Sequence, residues 1–295
     1  MKLWELEGEL QQVKPFESPN IKLEQYLTTP HLAAHTLYTA MLQGDIEDRV
    51  VLDLGTGTGM LAIASALCGA SHVIGVDIDA GALSIAQENI ERAQVDDTVD
   101  LVNANVFDLI GTHSSSHMHR YFTNGQVDTV VLNPPFGTRM KGADMHFLSV
   151  AVRLTRCAVY SLHKSSTRDH ILRVADGWGC KAKVVAELVY DLPATYAFHR
   201  KNNQQIAVDL IRLEKRSTFN PANVIIGGGG GGGGSGCGSE ATSTTTTKTS
   251  KQGSSTKTVM RNGKPVQVKV KKSSASGGAS SSAGTGKKAL GTRIK

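Results

Sequence analysis

The chain of 295 residues carries 32 Lys+Arg and 26 Asp+Glu, a net charge of +6 that is unevenly distributed. Residues 227–295 hold 12 of the basic residues and a single acid, Glu240, so this tail is at +11 while residues 1–226 are at −5. The tail consists of Gly, Ser, Thr and Lys with almost no large apolar side chains, which excludes a packed core there and leaves residues 1–226 as one expected α/β domain followed by a low-complexity, disordered tail.

The first predicted element is an amphipathic helix over residues 2–13, because Leu3, Leu6, Leu10 and Val13 fall on one face. Two prolines end this helix. The residues alone indicate an amphipathic helix that packs on the core.

The segment before the second helix has two readings. Thr28 or Thr29 is suited to cap the helix that begins at Pro30. Capping alone explains the threonines. Gln25 and Thr28 also precede a helix that is expected to pack near the ligand edge of the sheet, so both are candidates to contact a cofactor.

A glycine-rich turn marks a ligand site. Val50–Leu54 is a predicted strand, residues 55–59 read Gly-Thr-Gly-Thr-Gly, and a helix follows over 60–68. A second strand over 72–76 delivers Asp77, the position expected to take ribose hydroxyls. This order of elements favours an adenosine-containing cofactor but does not separate NAD from S-adenosylmethionine.

The residues after the fourth strand distinguish S-adenosylmethionine from NAD as the expected cofactor. A helix over 80–93 and a third strand over 99–103 precede the buried run 127–132, which ends in Asn133-Pro134-Pro135-Phe136. The prolines stop the strand, so the four residues lie at its carboxyl end, where open α/β sheets bind ligands. An amide, a fixed carbonyl and an aromatic face together suit a planar amine. Methyl transfer to nitrogen needs such a turn, and a dinucleotide dehydrogenase does not.

The C-terminal part of the domain offers weaker candidates. A fifth strand over 158–162 delivers His163 and Lys164, which are candidates for RNA phosphate contacts. A solvated loop, with Ser165 or Ser166 capping the next helix, is the alternative. Predicted strands over 182–190 and 205–213 flank a segment with interleaved aromatic and basic residues. Phe198 and Arg200 in that segment are candidates for a lid over single-stranded RNA, with a surface turn as the alternative.

Metal and disulfide chemistry are not expected. The histidines of the insert over 111–125, His113, His117 and His119, have no cysteine or carboxylate partner at ligand spacing, so the insert is interpreted as a polar loop. The four cysteines are far apart and form no disulfide framework, which favours a reduced, cytosolic or nuclear protein. No membrane span or signal peptide is expected.

The pattern resembles the class I S-adenosylmethionine-dependent amino-methyltransferases, and within them the methyltransferase-like protein five family. The resemblance covers roughly residues 1–216 and leaves out the tail. The matching segments are residues 11–13, 23–26, 30–34, 37–39, 53–55, 133–138, 159–168 and 190–194.

Membership would imply a Rossmann-like seven-stranded sheet with helices on both faces. The family methylates N6 of one adenosine in small-subunit ribosomal RNA and pairs with a small zinc-ribbon activator subunit, so the resemblance implies a heterodimer found in the nucleus, nucleolus and cytoplasm. The apolar helix face named above and the strand edge near residues 77–90 are the candidate surfaces for that subunit.

The resemblance also implies the cofactor contacts of S-adenosylmethionine. The glycine turn departs from the family at Thr56 and Thr58, where the family often has cysteine, which changes little because the nearby backbone makes most of the contacts. A second departure is Asn105, which stands where an aspartate would accept a hydrogen bond from the cofactor adenine, and a neutral acceptor is expected to weaken binding by about tenfold or less. The implied contacts are Gln25, Thr28, Gly55, Thr58, Met60, Asp77, Asn105 and Val106.

The expected chemistry is in-line methyl transfer to an oriented amine. Asn133 and the Pro134 carbonyl would accept hydrogen bonds from the amine, and Phe136 would stack on the flipped base. Asp128 is interpreted as structural rather than as a general base. Two alternatives stay open: a glutamine-N5 protein methyltransferase using the same site, and a module that binds the cofactor without catalysis.

Overall fold

The computed structural model describes residues 1–110, 127–192, 204–224, 256–261 and 264–269. The chain divides into two units, of which the first carries the helices and a seven-stranded sheet and the second carries a two-stranded hairpin. The helices are α1 Leu3–Leu10, α2 Pro30–Leu42, α3 Met60–Leu67, α4 Ala80–Arg92, α5 Ala143–Leu154 and α6 Arg168–Gly177. The sheet strands are β1 Val50–Leu54, β2 His72–Asp77, β3 Val99–Asn103, β4 Val127–Leu132, β5 Thr155–Lys164, β6 Cys180–Leu192 and β7 Gln204–Lys215.

The sheet has the strand order β3-β2-β1-β4-β5-β7-β6. The pairs from β3 to β5 are parallel, whereas β7 is antiparallel to both β5 and β6. The strand order reverses between β1 and β4, which run side by side and end at the same sheet edge. An open α/β sheet binds its ligands at such a switch point.

Two apolar cores cover the two faces of the sheet. One core packs α1, α2 and α3 against the sheet, and the other packs α5 and α6 against the opposite face. All six residues of β4 are buried, as a β-branched run between two helical layers requires. The predicted seven-stranded Rossmann-like fold with helices on both faces is confirmed.

Several boundaries differ from the predicted ones. The first helix ends at Leu10 instead of residue 13. Its apolar face is not free for a partner, because Leu6 and Leu10 are fully buried in the core. Ser165 does not cap the next helix, since its hydroxyl donates to Asp209 Oδ1 at 2.7 Å.

Asp128 has the structural role expected of it. One carboxylate oxygen accepts from the Val50 backbone at 3.0 Å and the other accepts from Arg156 at 2.8 Å. Both bonds connect the start of β4 to its neighbours. The proposed site residues follow Leu132 at the other end of the strand.

The tail contains one element that its composition did not predict. Strands β8 Thr256–Arg261 and β9 Lys264–Lys269 pair as an antiparallel hairpin. The rest of the predicted disordered tail, and the domain boundary expected at residue 226, lie outside the described residues. Among the helices that the structure describes, none combines the length and the apolar character of a membrane span.

Candidate active site

The glycine turn joins β1 to α3 with a left-handed backbone. The three glycines have positive φ angles: 77° at Gly55, 56° at Gly57 and 89° at Gly59. A Cβ atom on Gly57 would lie 2.8 Å from Cζ of Phe16, so a larger residue would displace this ring as well as strain the left-handed backbone. The turn therefore presents bare backbone to the cleft beside it.

Asp77 at the end of β2 holds this turn in place. Its Oδ2 accepts from the Gly57 amide at 2.8 Å and its Oδ1 accepts from the Asp79 amide at 2.9 Å. Burial raises the pKa of Asp77, while the two backbone hydrogen bonds oppose that rise. Asp79 in turn accepts from the Gln25 side chain at 2.7 Å, which brings the N-terminal segment to the edge of β2.

Asn105 follows β3 and also faces the cleft. Its Oδ1 accepts from the Phe107 amide at 3.1 Å, so this residue caps the short 3-10 turn Val106–Asp108. Val106 is buried beside it. An aspartate would make the same cap, since the bonded atom is the side-chain oxygen.

Asn133 at the exit of β4 is oriented by a residue 105 positions earlier in the chain. Its Nδ2 donates to Thr28 Oγ1 at 3.0 Å. With the nitrogen directed to Thr28, the side-chain oxygen Oδ1 is left as the acceptor. Pro134 is buried and Pro135 lines the cleft. The two proline rings restrict the backbone of this turn.

Phe136 is held by an aromatic neighbour and a cation. Its ring meets Tyr190 edge-on, with centroids 6.3 Å apart and an interplanar angle of 78°. The Lys164 ammonium lies over the Phe136 ring, 5.4 Å from its centroid. The Tyr190 hydroxyl donates to the Leu27 carbonyl at 2.7 Å, which ties β6 to the N-terminal segment.

The expectation that His163 contacts RNA phosphate is wrong. His163 is 1% exposed and its Nε2 lies 2.8 Å from Ser161 Oγ. Burial lowers the pKa of His163 to about 4, so the ring is neutral at physiological pH. A buried, neutral imidazole cannot bind a phosphate at the surface. Lys164, the next residue, is the one that reaches the site.

Five of the eight predicted cofactor residues line one cleft of about 270 Å³, whereas Thr28, Thr58 and Met60 do not. Thr58 and Met60 lie behind its wall at the start of α3 and are buried. The Thr58 hydroxyl has no hydrogen-bond partner in the described part of the chain. Phe198 and Arg200 lie outside the described residues. The predicted residues that line the cleft are Gln25, Gly55, Asp77, Asn105, Val106, Asn133 and Pro135.

The sequence did not indicate Glu24 as a site residue. Glu24 lines the cleft in a left-handed backbone conformation, with φ of 52°, and is buried. Its Oε1 accepts from the Arg139 amide at 2.7 Å, and its Oε2 has no hydrogen-bond partner among the described residues. The signal that could have found it is its place beside Gln25 in the segment 23–26.

Aromatic side chains form the apolar wall that sequence reasoning also missed. Phe16, Phe107 and Phe147 line the cleft together with Met140. Phe107 and Phe147 meet edge-on with centroids 5.7 Å apart. These residues come from four separate segments, so no local pattern could have grouped them.

The chain is similar to known methyltransferases. Residues 29–133 match the family model of the ribosomal protein L11 methyltransferase PrmA. The rRNA N(6)-adenosine-methyltransferase METTL5 of Danio rerio is 47% identical over 214 residues, which cover 72% of this chain and 98% of that protein. The rRNA N(6)-adenosine-methyltransferase Mettl5 of Drosophila melanogaster is 46% identical over 216 residues, covering 72% of this chain and 97% of that protein.

A solved structure extends the similarity to the whole domain. The crystal structure of a proposed RNA methyltransferase from Pyrococcus horikoshii is 30% identical, covers 74% of this chain and 98% of that chain, and superposes with a TM-score of 0.62. The similarity spans nearly the full length of the two named relatives and of this solved chain, and the family-model match includes the glycine turn and ends at Asn133. The chain therefore belongs to the METTL5 family of rRNA N(6)-adenosine-methyltransferases.

Proposed function

We propose that this chain uses S-adenosylmethionine to methylate N6 of a specific adenosine in small-subunit ribosomal RNA. The observation that carries the proposal is the hydrogen bond from Asn133 to Thr28, because it leaves Asn133 Oδ1 to accept from an amine at the rim of the cleft. The names of the relatives from Danio rerio and Drosophila melanogaster support the same reaction.

The carboxylates and the glycine turn of the cleft support the proposed cofactor. S-adenosylmethionine carries a sulfonium and an α-ammonium, and the cleft wall supplies the carboxylates of Glu24 and Asp77. The glycine turn exposes backbone groups to the adenosyl and methionyl parts of the cofactor. The Thr58 hydroxyl, which has no hydrogen-bond partner among the described residues, belongs to the same turn. We assign to holding the cofactor the five implied residues that line the cleft, Gln25, Gly55, Asp77, Asn105 and Val106, together with Glu24.

The protein contributes orientation to the reaction. The bound cofactor supplies an electrophilic methyl group on sulfur. The N6 amine of adenine is a weak nucleophile because its lone pair is conjugated into the ring. Asn133 Oδ1 and the Pro134 carbonyl would accept hydrogen bonds from its two N–H groups and fix the nitrogen in place, a positioning effect of the kind that lowers barriers most in bimolecular reactions. As the N–CH3 bond forms and the S–CH3 bond breaks, the thioether would leave and the excess proton on N6 would pass to water. No described side chain is assigned as general base.

Phe136 and Lys164 form the substrate side of the site. The Phe136 ring would stack on the flipped adenine, at a gain of roughly 1–3 kcal/mol that offsets the cost of flipping. Lys164 lies over that ring in the free protein. When the base enters, its ammonium would move to a flanking phosphate.

The activator subunit and the location in the cell follow from the same reaction. We infer a zinc-ribbon activator subunit that binds at the free edge of β3, which in the described chain pairs only with β2. Ile78, 51% exposed, adds an apolar contact beside that edge. A ribosomal RNA substrate and the free cysteines Cys68, Cys157 and Cys180 favour the nucleus, nucleolus and cytoplasm.

Product analysis with labelled cofactor tests the proposal. The chain and the activator subunit are incubated with methyl-labelled S-adenosylmethionine, small-subunit RNA and total protein, and the label is located by mass spectrometry. We expect N6-methyladenosine, which Asn133→Ala abolishes while cofactor binding persists. Label in protein glutamine would instead support the glutamine-N5 alternative, which the named relatives do not favour. Bound cofactor without any labelled product would contradict both.

A further inference from the structure

Three zinc-type ligands meet on the outer side of the two N-terminal helices. Glu7 belongs to α1, and His31 and His35 belong to α2. One ligand atom from each of the three residues lies within 4.8 Å of the other two. None of the three lines the cofactor cleft.

The geometry of α1 and α2 brings the three side chains together. His31 and His35 are four residues apart, so their side chains lie on one face of α2, one turn apart. The two rings stack edge-on with centroids 4.3 Å apart. Leu6 and Leu10 anchor α1 in the core, which holds Glu7 of the same helix against this face.

The distances suit a small cation. His31 Nδ1 lies 3.3 Å and 3.4 Å from the two carboxylate oxygens of Glu7. Ligand atoms of a tetrahedral zinc ion with bonds of about 2.0–2.1 Å are separated by about 3.3–3.4 Å.

The surroundings favour metal over a plain ion pair. His35 is 7% exposed and its ring packs against that of His31, so the surrounding structure fixes its position. The side chains of His31 and Glu7 are 41% and 32% exposed, which leaves an entry path and room for a water as fourth ligand. Two imidazoles and a carboxylate are a usual zinc set.

We propose that Glu7, His31 and His35 form a zinc site that cross-links α1 to α2. The site does not depend on the proposed methyl transfer. It would stabilise the helix that precedes the N-terminal wall of the cleft, where Phe16 and Glu24 lie.

Zinc titration of the full chain tests this site, with variants matched to it. Glu7→Gln and His35→Gln are compared with the control His72→Gln. His72 also pairs with a carboxylate, Asp100 at 3.2 Å, but belongs to no group of three ligands in the described residues. We expect wild type and His72→Gln to bind one more zinc than the other two variants, and to gain thermal stability with zinc that the others lack.

A second measurement needs no variant. The side chains of His31 and His72 are 41% and 39% exposed, so diethylpyrocarbonate should modify both in the free protein. We expect zinc to protect His31 and leave His72 reactive. Equal zinc stoichiometry in all four proteins, or equal modification of His31 with and without zinc, would overturn the site. Zinc held by other histidines, such as those of the 111–125 insert, would be common to every protein compared.

Discussion

At the scale of single residues, the hydrogen bond between Thr28 and Asn133 decides what the site can do. An asparagine side chain offers a donor and an acceptor, and only the acceptor suits a substrate amine. Thr28 binds the donor end, so the acceptor is oriented before any substrate arrives. The resemblance implied a cofactor contact for Thr28, and the structure adds a direct bond to the Asn133 amide, which we propose holds the substrate amine.

Thr28→Val distinguishes a role in orienting Asn133 from a role in binding the cofactor, because valine keeps the shape of the side chain and removes the hydroxyl. If Thr28 orients Asn133, we expect kcat to fall about tenfold, the effect of losing one hydrogen bond, with an unchanged dissociation constant for S-adenosylmethionine. The control is Thr29→Val, which removes the cap bond to the Leu32 amide and should cost about 1 kcal/mol of stability without a change in kcat. A weaker cofactor affinity with unchanged kcat would contradict the orienting role.

Asn105→Asp restores the acceptor that the family has at this position. The carboxylate keeps the bond to the Phe107 amide, and its charge strengthens a second bond to the cofactor adenine. We expect the dissociation constant for S-adenosylmethionine, measured by calorimetry, to fall by up to about tenfold near pH 7. An unchanged constant would place the adenine away from this residue.

Asp53 makes the stability of the domain depend on pH. It is fully buried below the glycine turn, and burial raises its pKa from 3.8 to about 7 in spite of the bond from Thr56. The pKa of Asp53 is higher in the folded protein than in the unfolded chain. Its stabilising contribution to the free energy of unfolding is therefore fully present below about pH 4 and is lost as pH rises through 7.

Asp53→Asn removes this titration and keeps an oxygen for Thr56. We expect the free energy of unfolding of wild type, relative to the variant, to fall between pH 4 and 8 by at most roughly 4 kcal/mol. Urea unfolding of both proteins at several pH values measures the difference. His163 titrates in both proteins, so its contribution cancels. Parallel curves for the two proteins would show that Asp53 is ionised throughout.

At the scale of elements, Glu24 joins the N-terminal segment to the loop between β4 and α5. Its bond to the Arg139 amide spans 115 positions of the chain. Its other oxygen is buried without a described partner at the cleft wall, which is the place for a cationic ligand.

Two substitutions distinguish these functions of Glu24. Glu24→Gln keeps an acceptor for Arg139 and removes the charge, whereas Glu24→Ala removes both. If the carboxylate pairs with the cationic cofactor, we expect both variants to weaken S-adenosylmethionine binding by tenfold or more. If Glu24 only fastens the loop, Glu24→Gln should bind like wild type. The exposed Glu17→Gln serves as the charge control.

Some elements were predictable because their signals are local. The glycine turn and the Asn-Pro-Pro-Phe turn each end a buried strand, and parallel strands bring those ends to one edge. His163 was misplaced because β5 runs on to Lys164. Side chains alternate along a strand, so His163 shares the inward face of Ser161 and Lys164 points the other way. The wall that contains Phe16 and Glu24 depends on long-range packing, which no local pattern reveals.

At the scale of the whole molecule, the two parts of the chain carry opposite charge. The domain of residues 1–226 is at −5, so its average field opposes the approach of a polyanion. The tail at +11 has the sign that attracts RNA. We therefore predict that substrate recognition divides between a site that selects one adenine and a basic segment that supplies affinity without sequence preference; a solvated tail that does not contact RNA is the alternative.

Neutralising the tail tests this division. All 12 Lys and Arg of residues 227–295 are changed to Gln, which keeps the length of the tail. Each charge that contacts phosphate contributes about 0.7 to 0.9 to the slope of log affinity against log salt. We expect a shallower slope and the greatest loss of RNA affinity at low salt, with kcat unchanged at saturating RNA, since the tail holds no site residue.

A single-charge variant calibrates the measurement. Lys164→Gln removes one cation beside Phe136, so it should flatten the slope by at most about one and also lower kcat/KM. Fluorescence anisotropy with a labelled small-subunit RNA fragment at four salt concentrations gives both slopes. If the neutral tail leaves the slope at the wild-type value, RNA is bound by the domain or by the activator subunit alone, and the local charges around Lys164 must then overcome the net charge of −5.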